Sequence, residues 1–164
     1  MIYKKFMTMV FSPKSYQNKE NWKKGELSEK RFKEYMDKIG IGAEKTTEKI
    51  DRFDHIDFIV GDNTPVDLKG DKNTDAVWLE KTNVFGGKGS LLGKAKFIVI
   101  EYLDINAYVF YNRLKLVEYI KQFKDICKNK SDYHCLYTRE GNKDVIIKVR
   151  ESDIKNYERF RFHY

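Results

Sequence analysis

The feature that most constrains this chain is a pair of short apolar runs separated by turn-forming residues. Residues 55–60 (His-Ile-Asp-Phe-Ile-Val) have the composition of a strand, residues 61–65 (Gly-Asp-Asn-Thr-Pro) favour a turn, and residues 66–69 resume an alternating pattern. Two strands joined by so short a turn pair in antiparallel fashion. We therefore predict a β-hairpin over residues 55–69.

This hairpin collects acidic and basic side chains. Asp67 and Lys69 are two residues apart, so they project from one face of a strand, while Val66 and Leu68 project from the other. Asp57 on the first strand comes opposite or diagonal to that pair. Two carboxylates suit a hard divalent ion, Mg²⁺ or Mn²⁺, which prefers oxygen ligands. Lys69 would position or deprotonate an attacking water.

The rest of the sequence predicts an α/β order with no repeat, linker or domain boundary, hence one domain over residues 1–164. The first 22 residues mix aromatic and basic residues without a clear period and predict an arm or short strand. The later segments are a helix over 27–39 capped by Ser28, strands over 76–82 and 96–103, a helix over 105–128, a hairpin formed by 133–138 and 145–149, and a terminal helix over 151–164.

The composition excludes a disordered chain and indicates an anionic partner. Of 164 residues, 41% are hydrophobic and 15% aromatic, more than a disordered, charge-rich chain carries. A net charge of +7 favours nucleic acid, with a membrane surface as the second choice. No apolar stretch is long enough to span a membrane, and the first ten residues lack the apolar core of a signal peptide. We therefore expect a soluble cytoplasmic protein (host cytoplasm for a viral gene) whose partner is DNA and not a membrane.

The two cysteines, Cys127 and Cys135, carry no metal-site signal. Together with three scattered histidines they lack zinc-ligand spacing. We interpret them as unpaired packing residues of a protein from a reducing compartment.

A glycine-rich loop over residues 86–94 resembles a phosphate-binding loop only superficially, because Gly89 follows Lys88 where Ser or Thr is required. Its lysines, Lys88 and Lys94, are candidate contacts for DNA phosphates, as is Lys24 near the first helix. The alternative for the loop is a plain strand connection. Glu80, on the strand before it, is either an additional ligand or an ordinary strand acid.

The acidic residues resemble the signature of the PD-(D/E)-x-K nuclease superfamily. Asp57 followed ten residues later by Asp67-Leu68-Lys69 matches its acid, gap and acid-x-Lys pattern, with Ile56 in place of the usual Pro. Residues 24–32 (Lys-Gly-Glu-Leu-Ser-Glu-Lys-Arg-Phe) resemble the Lys-Gly-x-x-x-Glu-Arg opening of archaeal and phage Holliday-junction resolvases, with Lys30 in place of Arg. The superfamily's core order of helix, three strands, helix and strand agrees with the predicted order.

The resemblance implies a restriction-endonuclease-like fold, a central mixed β-sheet flanked by helices. It also implies a Mg²⁺-dependent endonuclease that hydrolyses DNA, with branched DNA preferred and a homodimer to cut two strands symmetrically. Asp57, Asp67 and the carbonyl of Leu68 would bind the metal, and Lys69 would align the nucleophile. Glu29 would assist through water or a second metal, with Glu26 or Glu34 as alternatives.

Two other interpretations remain open at the level of sequence. The same residues fit a nuclease of this fold that cuts duplex DNA or RNA. They also fit a non-catalytic nucleic-acid-binding module in which the aspartates only flank turns.

Overall fold

A computed structural model describes the backbone of residues 15–164 and the side chains of residues 19–164. Within it the helices are α1 (Ser15–Lys38), α2 (Glu48–Asp54), α3 (Arg113–Ile120) and α4 (Glu151–Ile154). The strands are β1 (Ala43–Lys45), β2 (Phe58–Val60), β3 (Thr64–Lys72), β4 (Val77–Thr82), β5 (Phe97–Tyr102), β6 (Ala107–Asn112), β7 (Leu136–Tyr137), β8 (Val145–Val149) and β9 (Glu158–His163). Most of the predicted N-terminal arm lies outside the described residues, and from Ser15 the chain is helical.

The strands form two sheets. The central sheet has the order β1-β2-β3-β5-β6-β9, and the smaller sheet has the order β4-β8-β7. In the central sheet β3 and β5 are parallel, whereas its other neighbours are antiparallel. The prediction of an α/β protein with a central mixed sheet is confirmed.

The central sheet is buried on both faces, which gives three layers. On one face α1 packs Phe32 and Met36 against strand residues such as Val66 and Val99. On the other face, the inner side of the smaller sheet and α3 cover the remaining strand residues, which include Ile98. Burial on both faces explains why β5 begins with an uninterrupted apolar run, residues 97–100.

The hairpin predicted over residues 55–69 is confirmed. Strands β2 and β3 pair in antiparallel register, with Phe58 opposite Val66 and Val60 opposite Thr64. The strands predicted over 76–82 and 96–103 and the second hairpin are also present, as β4, β5 and the pair β7 and β8. The elements predicted from residue 27 up to residue 103 are therefore present and occur in the predicted order.

The long helix predicted over residues 105–128 is wrong. Residues 107–112 form β6, and the helix is confined to Arg113–Ile120. Because β6 is buried on both faces, its apolar residues show no alternation, and such a run cannot be distinguished from a helix by periodicity. Asn112 starts the helix, since its side chain accepts a hydrogen bond from Lys115 N.

Two further local predictions are also wrong. The terminal helix is limited to Glu151–Ile154, after which the chain pairs with β6 as the edge strand β9. Ser28 is not a helix cap, because α1 extends from Ser15 and Ser28 lies in its interior. There its buried hydroxyl donates to Glu101 Oε2 at 3.3 Å.

The cysteine prediction is corrected as well. Cys127 and Cys135 form a disulfide bond, with their Cα atoms 5.1 Å apart. A bridge between Ile126 and Leu136, with Cys127 N donating to Leu136 O, holds the two segments side by side. Eight residues of spacing gave no indication of this pairing, because it depends on how the intervening loop folds.

A buried ionic network fixes α1 against the end of β3. Glu101 on β5 is fully buried and accepts hydrogen bonds from Arg31 Nε at 3.1 Å and Arg31 Nη2 at 2.9 Å. Arg31 also bonds Asp71 Oδ1 at 2.6 Å. At Gly70 a Cβ would lie only 1.6 Å from the Ser28 hydroxyl oxygen, so the helix approaches the strand as closely as glycine permits.

Among the described residues, no helix is both long and apolar enough to cross a membrane.

Candidate active site

The site is built on an open strand edge. Strand β2 pairs with β3 only as far as Val66, where Asp57 N donates to Val66 O at 2.9 Å. Beyond this point β3 has a neighbour only on its β5 side. The Leu68 N–H on the open side is satisfied by a side chain, since it donates to Asp57 Oδ2 at 2.7 Å. The Leu68 carbonyl belongs to the same open edge, because both backbone groups of a strand residue point to one side.

Asp67 and Lys69 lie next to this edge on the opposite face from Val66 and Leu68, as the strand alternation predicts. The Lys69 ammonium group contacts Asp67 Oδ1 at 3.0 Å. Asp67 is only 2% exposed, and its second oxygen, Oδ2, is buried without a hydrogen-bond partner. A buried carboxylate oxygen without a partner lacks the cation or hydrogen-bond donor that would stabilise it.

A third carboxylate, which the sequence analysis missed, comes from α2. The carboxyl group of Asp51 is within hydrogen-bonding reach of Asp57, and Asp57 is within the same reach of Asp67. Helix α2 is set by Thr47, whose side chain accepts from Ile50 N, and ends at a left-handed His55. We call Asp51, Asp57, Asp67 and Lys69 the carboxylate cluster.

Burial and the negative charge of neighbouring carboxylates both raise the pKa values of the carboxyl groups in the cluster. Burial, followed by the negative charge of Asp67, raises the pKa of Asp57 to about 6. Burial and a hydrogen bond with Asp57 raise the pKa of Asp51 to about 6, and burial raises the pKa of Asp67. Protonation, or a bound cation in its place, would therefore relieve the repulsion among the three groups.

Lys69 remains a cation in this setting. Burial lowers its pKa, but the charges of Asp67 and Asp57 outweigh that effect, so that the net pKa lies above its ordinary value. With these neighbours Lys69 carries a fixed positive charge, which suits it to orient a water molecule more than to accept its proton.

The raised pKa of Asp57 gives a pH-dependent stability difference. Because the folded state binds more protons than the unfolded state between about pH 4 and about pH 6, Asp57 lowers the unfolding free energy as pH rises through that range. The variant Asp57→Asn keeps an acceptor for Leu68 N but cannot ionise. In EDTA we expect its unfolding free energy, relative to wild type, to rise between about pH 4 and about pH 6 and then to level off.

Urea unfolding at several pH values checks this expectation. The control is Asp62→Asn in the exposed turn of the same hairpin, for which the difference from wild type should stay flat. A flat curve for Asp57→Asn as well would contradict the raised pKa.

Glu29 lies at the border of the carboxylate cluster, since it lines one cleft with Lys69 and another with Asp51. Its Oε2 is held in an ion pair by Lys45 of β1. Glu29 lines the cleft beside Lys69, but it is not among the main influences on the pKa of Asp57 or Asp67. The structure thus brings together Asp57, Asp67 and Lys69 from the predicted set, with Asp51 as the third acid.

The other predicted site residues have separate positions. Glu80 Oε2 accepts from Ser90 N at 3.3 Å, and its charge contributes to the raised pKa of Lys69. Lys24 lines the cleft next to α1 and pairs loosely with Glu20. Lys94 pairs with Asp54 at 2.9 Å, and the Lys88 carbonyl contacts the His55 ring at 2.9 Å. Both loop lysines therefore lie near the end of α2.

Two clefts open onto Lys69, the basic member of the carboxylate cluster. Cleft A, of about 520 Å³, lies between α1 and the end of β3 and is lined by Lys24, Glu29, Lys69 and Lys72, among others. Cleft B, of about 290 Å³, lies between β3 and the smaller sheet. Lys69 is thus reachable from the surface through walls that carry several lysines, and Asp51 lines a further cleft together with Glu29 and Lys45.

The donor chemistry fits a hard divalent cation. Within the described part of the chain, no three His, Cys, Asp or Glu side chains form a ready-made metal site. However, the unpartnered Oδ2 of Asp67, the Asp51 and Asp57 carboxyls and the Leu68 carbonyl are all oxygen donors, as Mg²⁺ and Mn²⁺ require. Asp51, Asp57 and Asp67 are the residues that would hold such an ion.

Comparison with protein-family models, curated proteins and solved structures finds no match to this chain. Any assignment of function therefore depends on the residues of the site itself.

Proposed function

We propose that this protein is a divalent-metal-dependent nuclease of the PD-(D/E)-x-K type, with a restriction-endonuclease-like core. The observation that carries the proposal is the carboxylate cluster: three adjacent carboxyl groups, one with a buried unpartnered oxygen, beside a permanent cation on an open strand edge. A structural ion pair needs neither the third acid nor the open cleft. The overall charge of +7 suits a nucleic-acid substrate.

The chain's own groups have separate roles in phosphodiester hydrolysis. Asp51, Asp57 and Asp67 would hold the ion, and Mg²⁺ bound there would neutralise charge on the scissile phosphate and activate a water. The water oxygen bonds to phosphorus as one P–O ester bond breaks, and the leaving oxygen takes a proton from solvent, which gives one hydroxyl end and one phosphate end. The proton of the attacking water passes to solvent, since Lys69 is already protonated.

Lys69 acts as a fixed charge in this mechanism. Its ammonium group is held beside Asp67 by the strand itself, and its pKa stays above the ordinary value. A cation in that position orients the attacking water and stabilises the negative charge that grows on the phosphate oxygens. The burial around the cluster strengthens both effects by lowering the local dielectric.

The proposed substrate is branched DNA, acted on by a homodimer in the cytoplasm. The basis is the sequence resemblance of residues 24–32 to Holliday-junction resolvases, together with the need for two active sites to cut two strands symmetrically. The structure adds that Lys24, at the start of those residues, lines cleft A.

The test is a cleavage assay on a labelled panel of a four-way junction, forked DNA, duplex, single strand and RNA. We expect cutting with Mg²⁺ or Mn²⁺ and none with EDTA, and the preferred member of the panel identifies the substrate. Binding of DNA in EDTA is measured on the same samples. Intact binding without cutting of any panel member in either metal would overturn the nuclease and leave a binding module.

A further inference from the structure

The smaller sheet presents an outer face that the proposed mechanism does not use. Along β4, Val77 and Leu79 point into the core, so that Trp78 and Glu80 point outward. On the neighbouring β8, Lys148 lies opposite Trp78 and Ile146 lies opposite Glu80. An aromatic ring, an ammonium group, a carboxylate and an aliphatic side chain thus share the outer face.

Ring and cation contacts organise this outer face. The Lys148 ammonium group lies 5.9 Å from the Trp78 ring centroid and 4.4 Å from that of Tyr133. The Trp78 ring has Tyr137 as an aromatic neighbour at 6.2 Å. Trp78 is partly exposed and lines cleft B, so one part of its ring remains accessible to a planar group.

The outer face is continuous with the carboxylate cluster. Lys69 and Lys72 line both cleft A and cleft B, so the two clefts meet at these two side chains. Cleft B adds Lys130 and Arg139 to its walls, and Arg139 is balanced by Asp144 at 2.5 Å. A chain of negative charges that enters cleft A therefore meets Lys69 and Lys72 at the junction and Lys130 beyond it, although the acids Glu29, Asp71 and Glu80 also line these walls.

Lys72 is the residue at this junction whose charge is least compensated. Its side chain is half-buried, and within residues 19–164 its ammonium group forms no hydrogen bond or ion pair. Burial and then the nearby charge of Lys69 lower its pKa. A bound anion would relieve both effects, because it supplies the missing counter-charge.

We propose that clefts A and B form one track for an unpaired DNA strand, in which Lys72 contacts a phosphate and Trp78 stacks on a base. A duplex keeps its bases stacked on each other, so only an unpaired strand offers a free face to Trp78. This inference rests on the proposed nuclease function and narrows its substrate to DNA with a single-stranded arm, such as a fork or flap.

The first test measures binding in EDTA, where cleavage does not interfere. The probe is a fluorescent oligo(dT), with a blunt duplex of the same length as its comparison. For Trp78→Ala we expect single-strand affinity to fall by about 5-fold to about 150-fold, the usual effect of losing one stacked base, and duplex affinity to change little. Phe160→Ala, which removes a 46% exposed aromatic residue from edge strand β9, should leave both affinities unchanged.

The second test counts the phosphate contact. For Lys72→Gln we expect the slope of log affinity against log salt to fall in magnitude by about 0.7, which is one single-strand phosphate. The matched control is Lys115→Gln, an exposed lysine on α3 that lines neither cleft. Its slope should equal that of wild type.

A third measurement tests the track without replacing Trp78, in case Trp78→Ala does not fold. The chain has two tryptophans, so Trp22→Phe leaves Trp78 as the sole reporter, and its fluorescence should be quenched by oligo(dT). Absence of quenching, or equal loss of duplex and single-strand binding in Trp78→Ala, would overturn the track. Tighter binding of oligo(U) would overturn the choice of DNA.

The two proposals fail separately. Metal-dependent cleavage combined with unchanged oligo(dT) binding in Trp78→Ala and Lys72→Gln rejects the track and keeps the nuclease. Loss of affinity in both variants without any cleavage supports the track and rejects the nuclease.

Discussion

Replacement of Asp67 by asparagine is expected to lower cleavage by about a thousandfold without destabilising the protein. Asp67 contributes the one oxygen of the carboxylate cluster that is buried without a partner. A metal ion contributes several kcal/mol of transition-state stabilisation, and about 4 kcal/mol corresponds to that ratio. Single-turnover cleavage of the preferred DNA, with excess enzyme and saturating Mg²⁺, measures the effect.

The same variant should unfold close to the wild-type temperature, because two effects oppose each other. Burial raises the pKa of Asp67, so a neutral amide avoids the cost of a buried carboxylate near pH 7. The amide also removes the carboxylate that Lys69 contacts, although the charge of Asp57 remains nearby. Asp62→Asn in the exposed turn is the control and should change neither cleavage nor stability. Wild-type cleavage by Asp67→Asn would remove the carboxylate cluster from the mechanism, and a large fall in melting temperature would make Asp67 a structural residue.

The second large effect concerns stability. Arg31→Met should lower the unfolding free energy by about 3–5 kcal/mol, because it leaves the fully buried Glu101 carboxylate without its cation. The matched control is Lys30→Met, one residue earlier on α1. Lys30 pairs with Glu34 at 3.9 Å with both side chains exposed, and such a pair contributes about 0–1 kcal/mol.

The pH profile identifies the cause of that loss. Burial raises the pKa of Glu101 but the Arg31 hydrogen bonds outweigh it, so the wild-type pKa lies below its ordinary value. The resulting stability is present above the unfolded pKa and is lost as pH falls, so the deficit of Arg31→Met should shrink in acid. Urea unfolding from neutral pH to about pH 4 checks this, and the double variant with Glu101→Gln should recover part of the loss. A deficit that is independent of pH would assign the loss to packing.

The hairpin could be predicted because every signal it needs is local. Turn formers at residues 61–65, alternation in residues 66–69 and the two-residue spacing of Asp67 and Lys69 fix both the pairing and the shared face. Asp57 follows from the register, since the antiparallel pairing places it beside Val66.

Asp51 could not be predicted in the same way. Helix α2 has seven residues and none of them is buried, so it has no apolar period to recognise. Thr47 as a cap was its one readable signal. The place of Asp51 beside Asp57 depends on the left-handed turn at His55, which the sequence does not specify.

The two errors in secondary structure after residue 103 share one physical cause. Strand β6 is buried between α1 and the smaller sheet, and its Tyr108 and Tyr111 face opposite cores. An alternating sequence pattern indicates a strand that is buried on one face, and no such pattern arises when both faces are buried. The strand β9 then depends on β6 for its position, so the mistake at 107–112 carried over to 158–163.

The parallel pairing of β3 with β5 has a consequence for how this protein can diverge. Parallel strands require a crossover, and here residues 73–96 supply it and carry β4 with Trp78. The aspartate and lysine of the proposed active site lie on β3, whereas Trp78, the proposed stacking residue, lies on the crossover and points away from the core. Under the two proposals above, changes at outward positions of the crossover alter which nucleic acid is preferred and leave the proposed hydrolytic site and the core intact.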